Sequence, residues 1–196
     1  MSAMDVDPIW VARATAIQAY ANLEQALCRL FALVSETPMD VAAIIFFKIT
    51  NTQSRRTIVQ QLFKRRFKNN YHLFCNSLLK NMKTIDDRRN AIIHWNIVTD
   101  TEVISDDDFR LHYSLKPPEF WIDTSNTTQL TIDDINDFHI QCDFYTRIVS
   151  FFDAISRNNY GPLSQEQLTS WRAIFLQPLI YPPPEGTPLY EILQQL

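Results

Sequence analysis

The chain has 196 residues, 46% of them hydrophobic and 12% aromatic, enough apolar side chain to bury a real core and to exclude wholesale disorder. Its two glycines, Gly161 and Gly186, cannot build a phosphate-cradling glycine loop or a dinucleotide fingerprint, so P-loop and Rossmann chemistry are excluded. The formal net charge of -4 hides an uneven distribution that says more than the total.

Asp7-Pro8 reads as an N-cap with proline at the first helical position. Apolar residues from Ile9 to Val34 then recur every three or four positions, which predicts one long helix ending near Ser35 to Pro38. A second helix is expected over about Met39 to Ile49. The polar Thr50-Asn51-Thr52-Gln53 gives a turn or loose helix join before a third helix with Ile58, Val59, Leu62, Phe63 and Phe67 on its inner face. Asn69-Asn70 breaks that pattern, and a fourth helix is expected from about Tyr71 to Val98. From Asp100 the period changes. Val103-Ile104 and the alternating run Phe109 to Leu115, separated by Ser105-Asp106-Asp107-Asp108, read as a short hairpin whose aspartates make a turn rather than a metal site. Pro117-Pro118 and Trp121 follow in a loop. Thr131 and Asp134 resemble a capping pair for a fifth helix reaching about Asn158, and Ser164 to Gln167 another for a short sixth helix around Leu168 to Leu176. Pro182-Pro183-Pro184 ends the globular part, leaving Leu189 to Leu196 either to dock as a helix or to stay mobile.

These elements predict an all-α, up-and-down helical bundle with a small β-hairpin insertion. The expected organisation is a single domain over 1–180, with the insertion at about 100–130 and a Pro-rich tail at 181–196. Cys28, Cys75 and Cys142 are odd in number, widely spaced and set in apolar helical patterns, so they read as buried thiols of a reducing compartment. The acidic N-terminus lacks an apolar signal core, and the longest apolar run, Val41 to Phe47, is stopped by Lys48. A cytoplasmic location with no membrane partner is expected.

Between Val41 and Ile85 there are nine Lys or Arg residues and no Asp or Glu, whereas acidic residues gather after Asp100. Such a dipole of charge draws a polyanion to one side of an acidic molecule, and it makes Lys64, Arg65, Arg66 and Lys68 candidate contacts to nucleic-acid phosphates. Immediately after this basic stretch comes Arg89-Asn90-Ala91-Ile92-Ile93-His94. At about 100° per helical residue, Asn90 and His94 share one face a single turn apart, and the long Arg89 side chain reaches the same spot. Guanidinium grips phosphate oxygens in a planar fork and imidazole moves protons near neutral pH, so the trio suits a phosphate. The bland alternative is a surface ion pair at Arg89 and a satisfied, half-buried His94. Other constellations are weaker. His72, His112 and His139 lack ligand spacing, so no metal is expected, and Trp10, Trp95, Trp121 and Trp171 read as core. Arg88 also lies within reach of His94, but Arg89 is preferred because Asn90 then fills the polar position beside it.

Arg89-Asn90-x-x-x-His94, near the end of a long helix, resembles the Arg-x(4–6)-His motif of the HEPN superfamily, in which a polar residue, often Asn, follows the Arg. The resemblance covers roughly Ile9 to Asn158; the hairpin-like insertion and Pro-rich tail are not general features of the superfamily. It implies a helical bundle of HEPN type and a metal-independent endoribonuclease of toxin–antitoxin or defence systems, without cofactor. In that reading the RNA 2′-hydroxyl attacks the adjacent phosphate, His94 is general acid/base, Arg89 holds the scissile phosphate and Asn90 orients substrate or His94. It also implies a homodimer with the two motifs facing one composite cleft, and possibly an antitoxin partner. Asn51, Arg55 and Arg56 are further candidates for the RNA-binding rim. The flanking apolar Ile93 and Ile97 are expected to line the dimer interface. The alternative is a catalytically inactive module that binds nucleotide, nucleic acid or a partner protein, the Arg/His pair then serving structure.

Overall fold

The computed structural model describes residues 7–105, 108–118, 129–159, 161 and 163–194. Asp106, Asp107 and Trp121, which the sequence places in a turn and a loop, lie outside the described residues. In chain order the elements are α1 (Pro8–Ser35), α2 (Met39–Lys48), α3 (Thr52–Phe67), α4 (His72–His94), β1 (Asn96–Ser105), β2 (Asp108–Lys116), β3 (Leu130–Thr131), α5 (Ile132–Ser156), α6 (Gln165–Phe175) and α7 (Pro188–Gln194). The expected all-α bundle with a small hairpin is corrected by the sheet. Helix dominates, but β1, β2 and β3 form a three-stranded antiparallel sheet in that order, so the fold is mixed. The reason is local. Ile97, Val98, Thr99, Thr101, Val103 and Ile104 crowd the chain with β-branched residues, which favour the pleated backbone over the helix. The helix expected to run to Val98 therefore stops at His94, and the strand begins at Asn96.

The chain divides into two compact units, one of Met1–Ala21 with Ile85–Asp143, the other of Asn22–Thr84 with Phe144–Leu196. In the first, α1 starts as the sequence indicates, with Ile9 N–H donating to the Asp7 carboxylate (3.3 Å) and Pro8 at the first helical position. The buried side chains here include Ile9, Ala12, Ala16, Ala19 and Tyr20 of α1, Ile85 and Ile92 of α4, Leu115 of β2, and Ile135, Phe138 and Cys142 of α5. The register pairs Ile97 with Leu115, Thr99 with Tyr113, Thr101 with Leu111 and Val103 with Phe109. Because paired residues share a face, one side of the hairpin is apolar from its buried root at Leu115 to its exposed tip. The other side is charged, with His112 on Glu102 (2.9 Å) and Lys116 on Asp100 (3.3 Å). β3 is only two residues long, but it fixes where α5 begins. Thr131 pairs with Ser114 and at the same time closes a reciprocal cap, its N–H donating to the Asp134 carboxylate (2.8 Å) and the Asp134 N–H to its hydroxyl (3.2 Å). These bonds, chiefly the backbone one, hold the Asp134 carboxyl below its ordinary pKa. The stability they add is full above the ordinary carboxylate range and is lost as pH falls through the lowered value.

In the second unit the core is aromatic. Phe152 of α5 lies between Phe63 (5.5 Å), Phe74 (4.9 Å) and Phe175 (5.1 Å), with Phe67 and Tyr71 meeting it edge-on. Both long helices end on a left-handed residue that only a few residue types tolerate. After α1, Glu36 (φ 57) lets Thr37 N–H reach back to Ala32 O (3.2 Å), and after α5, Asn158 (φ 54) lets Asn159 N–H reach Ala154 O (2.8 Å). α6 opens on the expected capping box of Ser164 and Gln167, and the C-terminal stretch docks as α7. All three cysteines are buried free thiols, and burial pushes Cys75 and Cys142 up to about 12. Among the described residues no single helix is long and apolar enough to cross a membrane; α1 and α2 meet that test only as a pair bent by 116°.

Because five rings converge on Phe152, Phe152→Ala is expected to lower unfolding stability by about 3 to 5 kcal/mol. Chemical denaturation followed by helical circular dichroism checks this, and a loss below about 1 kcal/mol overturns the hub role of this ring.

Candidate functional site

The motif occupies the last turns of α4, and its placement starts with how that helix ends. A helix leaves its last carbonyls without partners. Here Trp95 N–H donates to Ala91 O (2.9 Å), and the Arg13 guanidinium of α1 donates through Nη2 to Ile93 O. A cation at this end also meets the negative end of the helix dipole. Burial works against the Arg13 charge and lowers its pKa, while the Trp10 ring lies 5.6 Å from its guanidinium carbon. The helix reaches His94, so Asn90 and His94 do share a face one turn apart, and both are exposed.

Arg89 and Arg88 are neighbours in sequence with opposite fates. Arg88 ties α4 to α5, donating to the Asp137 carboxylate (2.9 Å) and the Asp134 carbonyl (2.7 Å), with Phe138 beneath it. Its charge is neutralised. Arg89 donates to the Asn90 side-chain oxygen (3.1 Å) and lies 5.3 Å over the Tyr20 ring, whose hydroxyl donates in turn to Asp86 (2.9 Å). It makes no ion pair among the described residues, and its buried Nε has no hydrogen-bond partner. Arg89 is thus positioned but not neutralised, beside an exposed amide and an exposed imidazole. That arrangement can hold an oxyanion and move a proton at it.

The RNA-rim candidates all lie in the other unit, and the structure divides them. Asn51 is the N-cap of α3, accepting from Ser54 N–H (2.8 Å). Arg55 is a structural tie, bonded to Glu24 (2.8 Å) and to the Ile49 carbonyl (2.8 Å), stacked 4.5 Å over Phe46, its side chain only 13% exposed. Arg56 donates to Gln53 (2.9 Å) and Arg66 pairs with Glu36. Lys64, Arg65 and Lys68 are exposed and make no ion pair among the described residues. Ile93 and Ile97, expected at an interface, are half-buried. Trp171 is core as expected, while Trp10 is 53% exposed. Among the described residues no three His, Cys, Asp or Glu side chains are grouped to hold a metal ion.

Sequence reasoning missed Arg13 and Tyr20, which set the end of α4 and the seat of Arg89. The only signal was their spacing: Trp10, Arg13, Ile17 and Tyr20 fall three or four apart on one stripe of α1. Compared with known protein families, with curated proteins and with solved structures, the chain matches none.

The two arginines separate in a stability measurement. Arg88→Ala is expected to cost about 1.5 to 3 kcal/mol, the scale of lost hydrogen bonds to a charged group, and Arg89→Ala about 1 kcal/mol, the scale of a half-buried cation–π contact without an ion pair. Denaturant titration of both variants checks the order, and a reversal makes Arg89 the structural residue.

Proposed function

We propose that this chain is a cytoplasmic, metal-independent endoribonuclease of HEPN type whose chemistry is done by Arg89, Asn90 and His94. The observation that carries this reading is the un-neutralised Arg89 guanidinium, held over Tyr20 and bonded to Asn90, one turn from an exposed His94. The neighbouring Arg88, at similar depth, has a carboxylate, whereas Arg89 has none among the described residues. In the reaction the RNA 2′-oxygen attacks the adjacent phosphorus as His94 takes the hydroxyl proton. The 5′-oxygen leaves with a proton from a second imidazole, giving a 2′,3′-cyclic phosphate and a 5′-hydroxyl. Arg89 stabilises the crowded anionic phosphorane between these steps.

One motif supplies one imidazole, and the two proton transfers call for two. The α1 stripe supports an isologous dimer that brings a second. Trp10 (53% exposed) and Ile17 (40% exposed) flank Arg13, which contacts the Ile93 carbonyl at the end of α4, so an interface covering these side chains lies near His94. This replaces the Ile93 and Ile97 rim with a better exposed one.

Two outcomes are expected. With chelator present, the protein cleaves single-stranded RNA to cyclic-phosphate ends, and His94→Ala and Arg89→Ala each reduce the rate by about 10²- to 10⁴-fold at unchanged helical content. Equal cleavage by all three proteins removes these residues from catalysis. In light scattering, Trp10→Ser with Ile17→Asp converts a dimer to a monomer and abolishes cleavage. Mixing wild type with His94→Ala lowers activity as the square of the wild-type fraction, whereas a linear fall sinks the composite site.

A further inference from the structure

A cavity of about 420 Å³ opens beside the turn between α3 and α4, entirely within the second unit. That volume lies in the range of small-molecule sites. Phe63 and Cys75, both buried, belong to its lining, and burial holds the thiol neutral. Lys64, in the last turn of α3, and Lys68, the positive-φ residue that follows the helix, also line it. Neither ammonium makes an ion pair among the described residues. With no Asp or Glu from Val41 to Ile85, nothing in this stretch of chain neutralises them. The pair is a seat for an anion.

The remaining polar lining is specific in a different way. Gln60 donates its amide to the Asn76 side-chain oxygen (3.0 Å), which leaves the Gln60 oxygen as an acceptor and the Asn76 amide as a donor on two neighbouring lining residues. Such an acceptor–donor pair matches the edge of a nucleobase and has no counterpart on a bare phosphate. His72 Nδ1–H donates to the Asn69 carbonyl (2.8 Å), which fixes the ring and leaves Nε2 to a ligand. We propose that this cavity takes one nucleotide of single-stranded RNA, its phosphate between Lys64 and Lys68 and its base edge on the Gln60–Asn76 pair. The RNA assignment rests on the nuclease reading above; the nucleotide assignment does not.

The test is equilibrium binding to the full-length His94→Ala chain, which does not cleave its ligand, with AMP, inorganic phosphate and an eight-nucleotide RNA as probes. Lys64→Gln with Lys68→Asn is the key variant, asparagine being chosen because residue 68 has φ 54. It is expected to weaken AMP and RNA by about tenfold or more and to flatten the salt slope for RNA by roughly 0.7 per lost contact. Gln60→Leu is expected to weaken AMP and leave inorganic phosphate unchanged. Unchanged affinity in the lysine variant overturns the proposal, and so does inorganic phosphate binding as tightly as AMP. RNA cleavage by the chain with His94 intact separates the two readings. Cleavage with no lysine-dependent AMP binding refutes the pocket alone, and lysine-dependent AMP binding without cleavage refutes the nuclease alone.

Discussion

The Arg13 guanidinium on the Ile93 carbonyl is the contact on which the motif's position depends. An α-helix that stops inside a protein must find donors for its last carbonyls, or run on until water supplies them. At α4 one donor is the Trp95 amide and another is Arg13, so the helix can end at His94 and the chain can enter β1 at Asn96 with almost no connecting loop. His94 is thereby the last helical residue, exposed at the negative end of the dipole. Two turns further along α1, Tyr20 carries Arg89 on its ring and anchors its own hydroxyl on Asp86. The first half of α1 is thus the frame for all three motif residues, although none of its residues belongs to the motif.

Arginine shows how environment decides between structure and chemistry at constant residue type. Arg55 and Arg88 have carboxylate partners, backbone carbonyls and an aromatic ring beneath them, and each fixes one element to another. Exposed pairs such as Arg157 with Asp153 add little to stability. Arg89 differs from both groups in having a seat without a counter-charge. Burial of its Nε costs free energy that no atom of the described residues returns, and the guanidinium charge is left for an anion to meet. Lys64 and Lys68 share that lack of a counter-charge on a smaller scale, with no ion pair among the described residues.

What the sequence made legible was largely what short-range chemistry decides. The caps at Asp7, Thr131 with Asp134, and Ser164 with Gln167 rest on residues at most three apart, and all form. The three-and-four spacing of α1 likewise marks a face that is buried along its length. What could not be read depended on distant partners. Glu24 claims Arg55 from 31 residues away, which turns a candidate RNA contact into a strut. Asn51 looked like a polar rim residue because capping and ligand binding use the same side chain. The spacing of Ile92, Ile93 and Ile97 satisfies a helical period, which carries the expected α4 to Val98, four residues past its end at His94. Only the β-branched run beyond Asn96 argues for the strand, and it competes with a helix already under way.

The sheet that displaces the all-α expectation also constrains how copies of this chain can meet. β1 is an edge strand of ten residues, and its tip exposes Val103 (74%) and, across the register, Phe109 (64%). A free apolar edge of that length invites strand addition by a second copy. Asp100 and Glu102, however, sit mid-strand on the opposite face. In the long antiparallel registers that keep the apolar face continuous, they fall opposite their own counterparts, where like charges are unfavourable. Within one copy their charges are met by Lys116 and His112; a second β1 strand offers only more carboxylate. Edge-to-edge pairing is therefore disfavoured by the same alternation that makes the hairpin amphipathic. No such row of carboxylates lies on the α1 stripe, where exposed Trp10 and Ile17 flank an Arg13 already tied to the end of α4.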